Sequence, residues 1–458
     1  MDPSRNAPPA LPAPVRRGVV VRTALVLALI LACHACSVPA IGMAPGAASS
    51  SARPTIETLP HATLPEQHEK PDALGTAIIT AIATLSSHGL EPEDYGLAHL
   101  KSLASQGTLT EQDLKDAWRL AAAHLAHGRL DPQTLRPRLS ATPAEADVFT
   151  SLEGEPAALA AALDQFAPRH PSYQLLRAEL ARERAAMALE TDPGIITNHA
   201  ANIDKLRINL ERWRWIPHDL GRRYILANIA AFNVATFEND AAVSEFSAIF
   251  GRLDRETPTF SDEIEYLVFN PWWEVPPSIA RRDKLAQFRA HPGDVGRLGY
   301  QVIDKAGNVL DPSGINWNTV SAGAFPYRIR QAPGPGNALG RVKFIFPNAH
   351  NVYLHDTPEE ALFDAGQRTF SSGCVRVKNP IDLAEWVLRD TPGWSRDEID
   401  TAVASGEETR AELAVPVDIH VVYLTAVADQ TCETAIYLPD VYGRDAEVLR
   451  ALEAPLPR

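Results

Sequence analysis

Apolar residues near the start of the patterned chain recur every three to four positions, the period of a helix. Leu74, Ile78, Ile82 and Leu85 share one face, and Gly89 stands where that helix ends. Thr110 is placed to N-cap a second helix whose Leu114, Trp118, Ala121 and Leu125 align, with Gly128 beyond its end. A third helix runs through Leu159, Leu163 and Phe166, and Ser172 opens a fourth with Leu176 and Leu180. Residues 71 to about 190 thus read as a helical domain with Trp118 in its core. A further helix over 202–216 keeps Ile203, Leu206, Leu210 and Trp213 in register. After Pro217 the period shortens. Residues 224–237, 242–252 and 263–270 alternate and are rich in β-branched and aromatic residues, and 342–346, 351–354 and 419–425 read as further strands. Helical patterns return at 380–389 and 396–404. The mixed stretch between Pro276 and Arg330 reads as an insertion with its own small structure. The expected class is α+β and multidomain, helical first and β-rich afterwards.

The two ends fall outside these patterns. Arg16, Arg17 and Arg22 precede an apolar run, Ala24 to Ala32, that is short for crossing a bilayer, and Val38-Pro39-Ala40 offers small residues for cleavage. Residues 1–40 are therefore an export signal or a membrane anchor, with lipidation at Cys33 as a rival reading. Residues 41–70, rich in Ala, Pro, Ser and Thr, read as a flexible linker, and 446–458 as a C-terminal tail. The net charge of -14 argues against nucleic-acid binding, which needs a basic face. Of the four cysteines, Cys33 and Cys36 belong to the signal region, leaving Cys374 and Cys432. A bridge between the latter two would quench a reactive thiol. No Cys-pair spacing outside the signal region suggests a metal, and none is expected.

Cys374 carries the chemistry the sequence offers. It sits in Phe370-Ser-Ser-Gly-Cys-Val-Arg-Val377, with His355 on its N-terminal side. A free thiol has a pKa of about 8.5, so a nearby base is needed to activate it. His355 lies close enough in sequence for a strand, a loop and a return. His350 and His420 are competing candidates for the base. Asp356 or a backbone carbonyl would orient the imidazole. The N–H groups of Ser372, Gly373 and Cys374 are candidates for an oxyanion hole. Arg376 alternates with Val375 and Val377, which puts it on the face of Cys374. The competing reading is an inert small hydrophobe in an apolar strand.

The motif, His355-Asp-Thr-Pro followed by Phe370-Ser-Ser-Gly-Cys-Val-Arg376, resembles that of the L,D-transpeptidases with a YkuD-type catalytic domain, within them the large YcbB-like subgroup. Leu210-Glu-Arg-Trp-Arg-Trp215, Phe269-Asn-Pro-Trp-Trp-Glu-Val-Pro-Pro-Ser278, Pro333-Gly-Pro-Gly-Asn-Ala-Leu-Gly-Arg341, Val421-Val-Tyr-Leu-Thr425 and Asp440-Val-Tyr-Gly-Arg444 are similar to that subgroup too. The resemblance implies a helical scaffold domain over 71–200 and a catalytic domain over 201–445, with 277–335 as a capping subdomain. It implies Cys374 as nucleophile, His355 as base, Tyr353, Ser372 and Gly373 shaping the oxyanion region, and Arg376 steadying the site or the substrate. The subgroup's peptidoglycan-binding module has no room between Ala181 and Leu206. The implied function is 3→3 cross-linking of peptidoglycan in the periplasm. A donor tetrapeptide stem and the diaminopimelate amine of an acceptor stem are the partners, no cofactor is needed, and carbapenems acylate the cysteine. Water as acceptor would instead make a carboxypeptidase or a hydrolase of peptidoglycan–protein links. A degenerate site would leave a non-catalytic wall scaffold.

Overall fold

The computed structural model describes residues 70–135, 158 and 162–456. The expected signal or anchor, residues 41–69 of the linker and Leu159 lie outside the described residues. Among those described, no helix is long and apolar enough to cross a membrane.

The helical part forms largely where the apolar periodicity placed it, and Leu97–Gln106 is a further helix that the sequence reading did not mark. Helices span Lys70–Thr84, Leu97–Gln106, Glu111–His127, Pro171–Leu189 and Pro193–Trp213. Thr110 closes a capping box with Asp113 at the head of Glu111–His127. Two helix starts differ from the sequence reading. His170, not Ser172, caps its helix: its ring accepts the Ser172 N–H, because Pro171 prefers the first helical position and so puts the cap at His170. The last helix starts at Pro193, capped by Asp192, rather than near 202. Its first half is exposed and so carries no apolar period to read.

One buried network ties this last helix to the others. Glu211 and the Arg214 side chain pair with both fully buried. The second Glu211 oxygen accepts the Leu130 N–H (2.7 Å) and the Trp215 indole N–H (3.3 Å). Arg214 also donates to the His88 carbonyl (3.0 Å) and the Tyr173 hydroxyl (3.1 Å). Burying two ions is costly and is sustained by filling their hydrogen-bonding positions in this way. The Leu210–Trp215 motif is thus the joint between the helices, not part of a reactive site.

The β-rich part supplies β1 (Arg223–Asn228), β2 (Asn233–Glu238), β3 (Ala241–Gly251) and β4 (Phe260–Phe269). An inserted subdomain follows with β5 (Trp273–Glu274), β6 (Tyr300–Ile303), β7 (Val309–Leu310) and β8 (Arg328–Gln331). Then come β9 (Val342–Ile345), β10 (Leu354–His355), β11 (Thr369–Ser371), β12 (Val375–Val377), β13 (Thr409–Val422), β14 (Ala426–Asp429) and β15 (Thr434–Tyr437). The nine-stranded sheet has the order β11-β3-β12-β10-β9-β4-β13-β1-β2, and β2 also pairs with β3, so it closes on itself. Its core holds Leu354, Val375, Val377, Phe344, Leu267 and Ile419, with Leu383 and Val387 of the helix Pro380–Leu388. The run read as one strand over 224–237 is two, β1 and β2, joined by a turn at Phe232. Strand β13 is far longer than 419–425. Its first half escapes a strand reading because Pro416 breaks the alternation, at the place where the register with β4 shifts.

The inserted subdomain has its own four-stranded sheet, β5-β8-β6-β7, and its own core around Trp273, Phe288, Tyr300, Trp317 and Ile329. The segment read as a tail carries the helix Asp445–Glu453, whose Val448 and Leu452 pack with Ile208 and Trp215.

Glu211→Ala leaves Arg214 buried without its carboxylate and is expected to cost about 3–5 kcal/mol in denaturant unfolding. A loss below about 1 kcal/mol would mean that water replaces the partner. Burial also lowers His88, His124, His170, His218 and His420 to about 4 each. The unfolded chain protonates these groups below about pH 6.5, and the native state only near 4. Their contribution is therefore complete above about pH 6.5 and is lost as pH falls toward 4. The thermal midpoint should drop between about pH 7 and pH 4.5.

Candidate active site

The site rests on one strand pair. Strands β10 and β12 run parallel, with Leu354 beside Val375 and His355 beside Arg376. Side chains alternate along a strand, so Leu354, Val375 and Val377 point into the core. His355 and Arg376 then share the opposite face, and so do Tyr353 and Cys374 one step earlier, where the Val375 N–H donates to the Tyr353 carbonyl at 3.1 Å. The pleat therefore brings together Tyr353, His355, Cys374 and Arg376.

The Ser371–Cys374 turn is gripped from several sides. Gly373 has φ +117°, a conformation L side chains avoid, and this turns the backbone so that Cys374 enters β12. Its N–H donates to Ser371 Oγ at 3.1 Å, and that hydroxyl donates to the Cys374 carbonyl at 2.5 Å. The Gly373 amide is thus already committed. Among the described residues no hydrogen bond occupies the Cys374 N–H. The β3–β4 loop holds the other side. The Arg252 N–H donates to the Ser371 carbonyl (3.0 Å), Arg255 donates to Ser372 Oγ (2.9 Å), and Thr257 Oγ1 donates to the Gly373 carbonyl (2.9 Å). Tyr442, from the Asp440–Arg444 motif, braces that loop by donating to the Gly251 carbonyl at 2.7 Å.

His355 is buried, and its Nδ1 lies 2.5 Å from the Asp356 carbonyl. A carbonyl can only accept, so Nδ1 carries the proton and Nε2 keeps its lone pair. The Asp356 carboxylate does not orient the ring. It accepts from Arg341 N–H (2.9 Å), Arg341 Nε (2.8 Å) and Thr357 N–H (2.8 Å). Gly340 makes this possible, since a Cβ there would lie 2.4 Å from that carboxylate. His420 is engaged elsewhere, with Ser261 Oγ at 2.8 Å, and the His350 ring lies against Phe260.

The resting electrostatics favour neutral groups. Burial and the Arg376 charge lower His355 to about 3. Burial raises the Cys374 thiol, against the opposing pull of the Tyr353 N–H and hydroxyl and of Arg376. The thiol faces the Asn351 carbonyl at 3.9 Å. Burial and the neighbouring Cys374 keep the Tyr353 phenol well above its ordinary range. The Arg376 head is paired with Glu359, while its Nε is buried with no partner. Cys374 and Cys432 are both free thiols. Among the described residues no group of three or more His, Cys, Asp or Glu is arranged to hold a metal.

Residues 222–396 match the L,D-transpeptidase catalytic domain, YkuD. Residues 66–180 match the scaffold domain. A provisionally named L,D-transpeptidase of Haemophilus influenzae is 34% identical over 255 residues, which are 56% of this chain and 51% of that protein. The chain thus spans about half the length of the curated relative it matches. Among solved structures, an L,D-transpeptidase from Mycobacterium smegmatis is 12% identical, covering 45% of this chain and 59% of its own with a TM-score of 0.19. The L,D-transpeptidase LdtMt1 in complex with imipenem is 15% identical, covering 44% and 59%, with a TM-score of 0.19. All of the residues that the pleat brings together lie within the matched catalytic domain.

Several residues of this site were not singled out from the sequence. Ser371 stands inside the cysteine motif, which was the available signal. Arg255, Thr257 and Asn351 carry none, because only the folded loops bring them to the cysteine.

Two neutral groups predict a particular reactivity. The rate of Cys374 alkylation by iodoacetamide should climb with pH through and beyond the ordinary thiol range of about 8.5. Arg376→Ala removes a charge that lowers the thiol pKa and should slow alkylation at neutral pH about tenfold. A plateau already reached near neutrality would mean a standing thiolate–imidazolium pair.

Proposed function

We propose that this chain is a peptidoglycan L,D-transpeptidase of the large YcbB-like subgroup without the peptidoglycan-binding module. It forms 3→3 cross-links outside the cytoplasm, in the periplasm, with residues 1–40 as its export signal or anchor. The observation that carries the reading is the β10–β12 pairing, which puts a half-buried thiol and a lone-pair-bearing imidazole on one face of a matched catalytic domain.

In this reading Cys374 Sγ attacks the carbonyl carbon of the third residue of a donor tetrapeptide, a diaminopimelate. The S–C bond forms as the thiol proton passes to His355 Nε2. The negative oxygen is received by the Cys374 N–H and the Tyr353 hydroxyl, in a region shaped by Ser372 and Gly373. The tetrahedral centre collapses, the C–N bond to the terminal D-Ala breaks, and the departing amine takes the proton from His355. The side-chain amine of an acceptor stem then attacks the thioester and gives its proton to His355. The new amide forms as sulfur leaves, and the proton returns to Cys374. Arg376 stabilises the charge that builds on sulfur at either end. A neutral resting pair suits this sequence, because the proton moves only when substrate is attacked. No cofactor takes part.

The purified protein incubated with a carbapenem should gain the mass of one acyl adduct, and Cys374→Ala none. Muropeptide donors and acceptors should give dimers joined 3→3. Tripeptide as the sole product would identify water as the acceptor and a carboxypeptidase. No adduct and no turnover by folded protein would leave a wall-binding scaffold.

A further inference from the structure

Arg255 joins two parts of the molecule, the inserted subdomain and the cysteine turn. Its guanidinium forms a two-pronged pair with Asp283 of the inserted subdomain, Nη1 to Oδ2 at 2.5 Å and Nη2 to Oδ1 at 3.1 Å. The same Nη1 donates to Ser372 Oγ at 2.9 Å, two residues before Cys374. The pair is half-sheltered, with the Arg255 side chain 15% exposed and that of Asp283 35%. Arg252 stands further off, 4.0 Å from the same Asp283 carboxylate.

The subdomain reaches the cysteine from its other flank as well. Lys284, next to Asp283, lies over the Trp273 and Tyr300 rings at 5.3 and 5.0 Å. Trp273 belongs to the subdomain core against which the Tyr353 side chain packs, and Tyr353 packs also against the sheet core, on the same face of the pleat as Cys374. Two consecutive residues of one short π-helical stretch, Ala280–Lys284, thus meet Arg255, which holds Ser372, and Trp273, whose cluster packs against Tyr353.

We propose that Arg255 is a positioning residue that couples the seating of the inserted subdomain to the geometry of the Ser372–Cys374 turn. This rests on the function proposed above. With Asp283 on the guanidinium, Arg255 is oriented to hold Ser372 Oγ, and the Cys374 N–H and Sγ are set for attack. When the subdomain lifts, Arg255 loses the carboxylate that fixes its plane, and the turn loosens. The thiol is then correctly placed only while the subdomain covers it, so substrate entry and nucleophile alignment are linked through one side chain.

The test compares the full protein with Asp283→Ala, Asp283→Glu and Ser372→Ala. Amide hydrogen exchange is followed over 279–290 and 370–375, with the alkylation rate of Cys374 and with kcat and KM for donor acylation. Asp283→Ala should raise exchange in both segments and lower kcat about 10- to 100-fold, with KM changed by less than about threefold. Asp283→Glu should restore most of the loss. Ser372→Ala should loosen 370–375 and leave 279–290 as in the parent. Exchange that rises only in 279–290 on Asp283→Ala, with alkylation and kcat unchanged, would reduce the contact to an ordinary ion pair and overturn the coupling. If the parent protein shows no acylation, the transpeptidase reading fails, while exchange and alkylation still decide whether the subdomain and the turn are coupled.

Discussion

The parallel register of β10 and β12 is the constraint on which the site depends. Leu354 and Val375 must both face the core, and once they do, the residues before and after them face outward together. A slip of one residue would bury His355 among apolar side chains and turn the cysteine away from it. The apolar core thus aligns two polar groups on the opposite face of the strand pair, and the hydrophobic free energy of the sheet becomes positional accuracy at the sulfur.

Low solvent access sets the chemistry of the aligned pair. It opposes both charged forms, so a thiolate facing an imidazolium is not the resting arrangement. The polar groups that remain, Tyr353 and Arg376, favour charge on sulfur without being enough to create it at rest. The same logic explains the Asp356 arrangement. Its carboxylate is turned to Arg341 and only its carbonyl meets His355, which fixes the tautomer without adding a charge that would raise the imidazole pKa.

The motifs outside the cysteine turn are mostly braces. Leu210–Trp215 locks the helices through Glu211 and Arg214, and Asn337 of the Pro333–Arg341 stretch donates to the Pro271 and Ala332 carbonyls. Arg444 pairs with Glu256 at 2.6 Å while Tyr442 holds Gly251, so the C-terminal motif steadies the loop that holds Gly373. The helical part also shares a core with β1 and β2 of the sheet, where Trp213, Tyr224, Phe237 and Leu424 pack with Leu206 and Leu210. Rigidity is passed inward to the turn by buried polar contacts and packed aromatic rings.

The sequence by itself determined the order of helical and β-rich parts, because apolar period is a local property. It also determined the small-small-Gly-Cys turn, since Gly373 is needed for its backbone, and it gave Cys374, His355 and Arg376 as candidates. Helix starts without an apolar face, such as Pro193, and the first half of β13, interrupted by Pro416, were not legible, because their signals are caps and partners rather than periodicity. Spacing alone left His350, His355 and His420 open as the base, and the resemblance of the motif pointed to His355. The tertiary structure sets His355 on the face of the cysteine turn by placing β10 beside β12. It also decided that the Asp356 carbonyl orients the ring and that Gly373's own amide is spent on Ser371. Arg255 and Asp283 lie far apart in sequence from each other and from Cys374, and their meeting is a consequence of strand pairing and loop closure. No local pattern encodes a contact between segments that only the closed sheet brings together.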